Sequence, residues 1–180
     1  GILNLANDSN YVGGDGVSLA SAAHPSEGPS VANQRNVLAV NGTFGYLTLQ
    51  QAVIDVANQL DDRGIPINLN ITGMIYPAGL MHEVYQVVNN PSEPNTTNRN
   101  LNTLVGMNVL RKEPIMWNYL TDQKKVFLQV DADNGLVTIE RESFETNTWP
   151  EKRNFTSHTN SYERVGCGWG EWRSVFVFGT

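Results

Sequence analysis

Tyr162 to Phe178 reads YERVGCGWGEWRSVFVF, and it closes in the unbroken apolar run Val175-Phe176-Val177-Phe178. Successive strand residues point to opposite faces, so such a run demands cover on both and predicts a central strand in a packed core. Before it, Gly166, Gly168 and Gly170 flank Trp169. Glycines in a strand mark a bulge, a bend or a close approach of another backbone. The stretch therefore predicts two strand segments joined by a glycine bend, the second buried deeper than the first. The rest of the chain has to supply the cover.

The chain has 180 residues, enough for one substantial domain or two small ones, and a compact chain of that size buries roughly 70% of its unfolded surface. Its formal net charge is -6, with no Lys/Arg cluster. Direct nucleic-acid binding rests on neutralising phosphates, so an acidic chain without a basic patch is a poor candidate for it. Cys167 is the single cysteine, which excludes an internal disulfide and any multi-cysteine zinc site and fits a reducing compartment. No apolar run approaches a membrane span, and no signal segment opens the chain. The start at Gly1, without an initiator methionine, reads as the middle of something: a processed product or part of a longer chain.

Residues 1 to 36 are rich in Gly, Ser, Asn and Pro and read as turns and extended pieces, with a tight turn at Asp15-Gly16 and an end at His24-Pro25. Leu47 to Gly64 carries the clearest local signal. Thr48 and Gln51 match a capping box. Leu49, Ala52, Val53, Val56 and Leu60 share one helical face, while Arg63, Gly64 and Pro66 supply a stop. A short strand at 71 to 75 and a helix from about 78 to 88 follow, the latter opened by Pro77. Residues 89 to 102 read as a contact loop. Strand-like runs then recur at 105 to 110, 115 to 120 and 126 to 130, followed by a pair at 136 to 140 and 161 to 165. The interval 141 to 159 has no clear period and reads as an extended excursion. Together these elements predict an α+β fold with a mixed sheet flanked by helices.

No constellation of residues carries chemistry strongly. Asp15, Ser18 and His24 share a loop, but a nucleophile also needs a positioned base and an oxyanion site. Gly13-Gly14-Asp15-Gly16 lacks the residues of a phosphate loop. Asp131 and Asp133 read as a turn, not a cation site. Neither a catalytic centre, a metal nor a cofactor is expected. Two rival readings stay open: a hydrolase domain using Ser18, His24 and an acidic residue, and a β-rich ligand-binding module using Trp169 and Trp172.

A series of short strings, in shared order across most of the chain, resembles a known family. The strings are Asp15-Gly16-Val17-Ser18-Leu19 with His24-Pro25; Asp62-Arg63-Gly64-Ile65-Pro66 at the end of the first helix; and Ile75-Tyr76-Pro77. Further on come Tyr119-Leu120-Thr121-Asp122, Phe127-Leu128 with Asp131, Glu140-Arg141, Arg164-Val165-Gly166 and Trp172-Arg173. They are similar to the C-terminal part of the major capsid proteins of tailed double-stranded DNA phages (Caudoviricetes), especially the Mu-like major head subunit group with its Hong Kong 97-type fold. The resemblance implies an axial domain over about 26 to 135 and again over 171 to 180. It places residues 1 to 25 and about 136 to 170 in a peripheral domain, with the family's N-terminal arm, extended loop and spine helix lying before Gly1.

The function so implied is structural. Copies of the subunit assemble into hexamers and pentamers of an icosahedral head that encloses double-stranded DNA without binding it specifically. Assembly takes place in the cytoplasm of a bacterial host, with a decoration or scaffolding protein as a further partner and no membrane. The candidate intersubunit contacts are Arg141, Glu142, Glu151, Lys152 and Arg153, with Trp149 as either a local staple or an interface anchor. Gly166, Gly168 and Gly170 become the hinge between domains, and Gly168→Val is expected to impair assembly more than folding.

Overall fold

Alternation of apolar residues on consecutive strands builds two cores on opposite faces of one sheet. The computed structural model describes residues 1–26, 28, 32–40, 42–94, 100–151 and 153–179. The helices are α1 (Tyr46–Ala57), α2 (Met81–Asn89) and α3 (Thr103–Gly106). The strands are β1 (Ile71–Tyr76), β2 (Ile115–Met116), β3 (Val126–Val130), β4 (Leu136–Glu151), β5 (Thr156–Trp169) and β6 (Val175–Phe178). A four-stranded mixed sheet has the order β2-β1-β3-β6, and β4 pairs with β5 in a separate two-stranded sheet. The architecture is α+β.

In β3, Val126, Leu128 and Val130 point to one side, where they meet Phe176 and Phe178 of β6 and the apolar faces of the helices: Leu49, Ala52 and Val56 of α1, Val84 and Val87 of α2, and Leu104 of α3. On the other side Phe127, Val175 and Val177 meet Ile75, Leu120 and Trp172, and the cover comes from Leu3, Ala6, Leu19 and Ala20. Each fully buried aliphatic or aromatic side chain contributes about 1.5–3 kcal/mol, so this two-sided burial is the main source of cohesion. Residues 1 to 25, placed in a peripheral domain by the resemblance, thus supply the second layer of the sheet body.

The reading of Val175 to Phe178 holds for burial and needs correction for position. All four side chains are buried, but among the described strands β6 pairs with β3 alone, through Leu128↔Phe176 and its neighbours. It is the last strand of the sheet. Among the described residues its outer side is closed by a single parallel bridge, Val37↔Val177, in which the Val177 N–H donates to Asn36 O at 2.8 Å.

Local propensity misplaced several boundaries. The helix predicted to reach Arg63 stops at Ala57. Beyond it, Gln34 Oε1 accepts from the Leu60 N–H, the donor that another helical turn would direct to Val56 O, and Gln59 Nε2 donates to Arg35 O, tying the exit from the helix to residues 34 and 35. Gly64 does take a left-handed conformation, φ 82°, but in the turn that follows Asp61. The capping box is not formed: Gly45 is the N-cap, the Thr48 hydroxyl donates to Gly45 O, and Gln51 reaches forward to Asp55. The predicted strand 105 to 110 is instead preceded and partly replaced by α3. Asn102 caps α3 by accepting from the N–H groups of Leu104 and Val105 and fixes itself by donating to Val87 O and Asn90 O. That one buried side chain overrides the β-branched composition of the segment. Of 115 to 120, only Ile115–Met116 is strand. No helix of the described residues is long and apolar enough to cross a membrane.

Candidate interaction surface on the long hairpin

The excursion read as aperiodic is a β-hairpin. β4 has 16 residues and β5 has 14, so the ribbon extends about 45–50 Å at the usual rise per residue. Its ladder runs from Leu136↔Trp169 at the root to Glu151↔Thr156 at the tip, with irregularities between Glu140 and Glu145 on β4. Bulges at such positions increase the twist and redirect side chains. A period-2 signal is legible when one strand face is buried and the other solvated. Here the ribbon has no buried face along most of its length, so no burial imposes an alternation on its residues.

The side chains that hold the ribbon are cross-strand pairs. Thr146 with Ser161 and Thr148 with Thr159 form hydroxyl contacts on one side. Nearer the tip, Trp149 stacks on His158 with ring centroids 5.9 Å apart, and His158 Nε2 lies 2.9 Å from Glu151 Oε2. Tyr162 donates its hydroxyl proton to Glu145 at 2.7 Å, a hydrogen bond to the neutral phenol that raises its pKa above the ordinary value, with the carboxylate charge acting in the same direction. Exposed cross-strand pairs of this kind set register and are too weak to sustain a two-stranded ribbon alone.

Of the candidate contacts, Glu142 pairs with Arg164 at 3.3 Å. Glu151 and Trp149 join in the His158 cluster, and Arg141 lies in the irregular stretch between Glu140 and Glu142, exposed. Arg153 is exposed in the tip turn. Lys152 lies outside the described residues. Sequence reading missed His158, Tyr162, Phe144 and Phe155. Phe155 is 96% exposed and holds a positive φ of 54°, a conformation uncommon for a bulky residue. Ile139 and Phe144 are also about two-thirds exposed, at 64% and 66%.

The three glycines separate in role. Gly166 and Gly168 are paired strand positions opposite Ile139 and Val137. The chain leaves the hairpin at Gly170, whose N–H is shared between Asn134 O and Gly135 O, while the Glu171 N–H donates to Asn134 O. It then makes a 3₁₀ turn at Trp172–Ser174 and enters β6. A Cβ at 170 would lie 2.7 Å from Asn134 O, whereas one at 168 meets nothing within 4 Å. The bend thus starts at Gly170. We expect Gly170→Ala to cost about 1–3 kcal/mol through steric overlap with the backbone, and Gly168→Ala to stay within about 0.5 kcal/mol. Urea unfolding of the two variants checks this; equal effects would refute the assignment.

The residues of the rival readings are placed as follows. Ser18 Oγ donates to Ala20 O, while His24 lies between Asp15 and Asn36, so the three loop residues do not form a nucleophile–base chain. Trp172 is buried, with His24 stacked at 4.0 Å and the Arg173 guanidinium 4.2 Å from its ring. The Trp169 indole nitrogen packs close to Gly13. Arg173 is itself buried and bridges Asp62 at 2.7 Å and Glu171 at 2.9 Å. Nearby, the Asp61 carboxyl is held below its ordinary pKa by the Asp62 N–H and further by Arg63. Asp131 accepts from the Asn70 N–H, fastening the end of β3 to the start of β1.

No family model matches the chain, and no curated protein matches it. Among solved structures, it is similar to a virus-like particle from Pyrococcus furiosus, with a TM-score of 0.43 and 11% sequence identity over 79% of this chain. The match spans 55% of that particle's chain, so this chain corresponds to about half of its length.

Proposed function

We propose that this chain is a structural shell subunit, a major capsid protein whose copies form hexamers and pentamers of an icosahedral head around double-stranded DNA, and that its role is not catalytic. The observation that carries the reading is the β4–β5 ribbon: a long two-stranded hairpin with open edges and exposed Ile139, Phe144, Trp149, Phe155 and Val165. An isolated two-stranded hairpin is marginal in water, and unpaired edges invite pairing with other chains. A ribbon of that length is accounted for by cover from neighbouring subunits. The ordered series of capsid-like strings, from Asp15-Gly16-Val17-Ser18-Leu19 to Trp172-Arg173, supports the same reading. Of the proposed hinge residues, Gly170 has the geometry that suits the role, and a net charge of -6 suits a wall that encloses DNA without gripping it.

The full gene product is expected to appear as shells or capsomer-sized particles by electron microscopy and sedimentation; a strictly monomeric product would overturn the proposal. Trp149→Ala tests the role of the ribbon. It should weaken subunit association by about 2 kcal/mol or more, and change the stability of the sheet body by no more than about 0.5 kcal/mol. Unimpaired assembly would remove Trp149 from the interface.

A further inference from the structure

The one fully buried histidine, His24, has no part in the proposed interface. Its Nδ1 lies 2.6 Å from Asp15 Oδ2, and its Nε2 lies 3.2 Å from Asn36 Oδ1. The Asn36 amide is not free to turn over. Its nitrogen donates to the carbonyls of Leu19, Val175 and Trp172 at 2.6, 2.9 and 3.2 Å, and its oxygen accepts from the Ser21 N–H at 2.9 Å. The atom facing Nε2 is therefore fixed as an oxygen. Asp15 is likewise an acceptor, its second oxygen taking the Val17 N–H at 3.1 Å. A ring between two acceptors satisfies both only with a proton on each nitrogen. A neutral ring would set a lone pair against an oxygen where water has no access, and buried polar groups without a hydrogen bond are costly.

We infer that His24 is a buried imidazolium and that its charge forms a proton-linked latch between the N-terminal segment and the path from the hairpin to β6. The contacts define what the latch holds. Asp15 and His24 belong to the N-terminal segment. Asn36 joins Leu19 to Trp172 and Val175, and the His24 ring lies parallel to Trp172, with an interplanar angle of 1°. The other charges around the ring are Arg173, which contacts Trp172, and the Asp62 and Glu171 carboxylates that pair with Arg173. Those two carboxylates offset the guanidinium, so the local charge favours a second cation beside Asp15. Loss of the ring proton would dissolve the Asp15 ion pair and turn the Nε2 contact repulsive. The segment from Trp172 to Val175 would then lose its anchor.

The test is nitrogen–proton correlation NMR of the His24 ring in the intact chain at neutral pH. Both ring nitrogens are expected to be protonated, and a single neutral tautomer would overturn the inference. In Asp15→Asn, which keeps His24 in place, one of the two protons should be lost at the same pH; retention of both would show that the carboxylate does not hold the charge. For the latch itself, amide exchange over 172–177, corrected for the intrinsic rate, should rise roughly tenfold when alkaline buffer removes the ring proton. His24→Gln should exchange faster already at neutral pH with no further response. Wild-type protection that does not change with ring protonation would refute the latch.

Discussion

Phe176→Ala is expected to destabilise the protein by about 3–5 kcal/mol, the range for truncating a buried aromatic side chain in a core that relaxes only in part. Phe176 is 1% exposed. It stands opposite Leu128 in the β3–β6 register and belongs to the core formed with α1, α2 and α3. The cavity would open inside the core that β6 shares with the helical layer. Since domains of this kind are stable by roughly 5–15 kcal/mol in total, the variant should lie near the limit of folding. Urea denaturation measures the change. A loss below about 1 kcal/mol would mean that the helical layer does not depend on β6. Leu47→Ala supplies the contrast: Leu47 is on α1 but faces solvent, and its truncation should stay within about 0.5 kcal/mol.

Asn36→Leu is expected to have an effect of similar size for a different reason. The substitution preserves volume to a first approximation and removes every side-chain polar contact of a residue only 1% exposed. Three backbone carbonyls lose their shared donor, the Ser21 N–H loses its acceptor, and His24 loses a partner. Each buried polar group left unpaired costs about 1–3 kcal/mol, so even partial rearrangement leaves a loss of about 4 kcal/mol or more. Asn36→Asp should not rescue it: the carboxylate keeps the acceptor for Ser21 but faces three carbonyl oxygens with no proton to offer. Unfolding midpoints of the two variants decide the matter. Near-native stability in Asn36→Asp would show that the amide nitrogen does not hold the three segments together.

These two residues also divide what is legible in the chain from what is not. Phe176 announces itself, because a run apolar on both faces has few places to go other than a strand covered on both sides. The periodicity of Leu49, Ala52 and Val56 likewise fixes a helix and its buried face. Asn36 gives no such sign. It sits in a polar, glycine- and serine-rich segment that reads as turns, and its importance comes from carbonyls at positions 19, 172 and 175, distant in sequence. Asn102 is a second case: nothing local distinguishes it from neighbouring asparagines, but burial against Val87 and Asn90 makes it the cap that turns a strand-like segment into α3.

The candidate surface was legible as a location and not as a shape. Arg141, Glu142, Trp149, Glu151, Lys152 and Arg153 all fall on one excursion, and the structure places the described ones, all but Lys152, along one ribbon. Their grouping with His158, Thr156 and Arg164 needed the pairing register, which depends on two bulges that composition does not reveal. By itself, the sequence determined the α+β class, the buried faces of α1 and β6, and the lack of a Lys/Arg cluster along the chain or of a second cysteine, since these follow from side-chain chemistry and local period. Only the tertiary structure decided where α1 ends, that β6 lies at the sheet's edge, that the bend begins at Gly170, and that His24 stands between two acceptors. Each of those outcomes is set by hydrogen-bond partners far away in the chain, and local sequence carries no record of which distant backbone groups will need a donor.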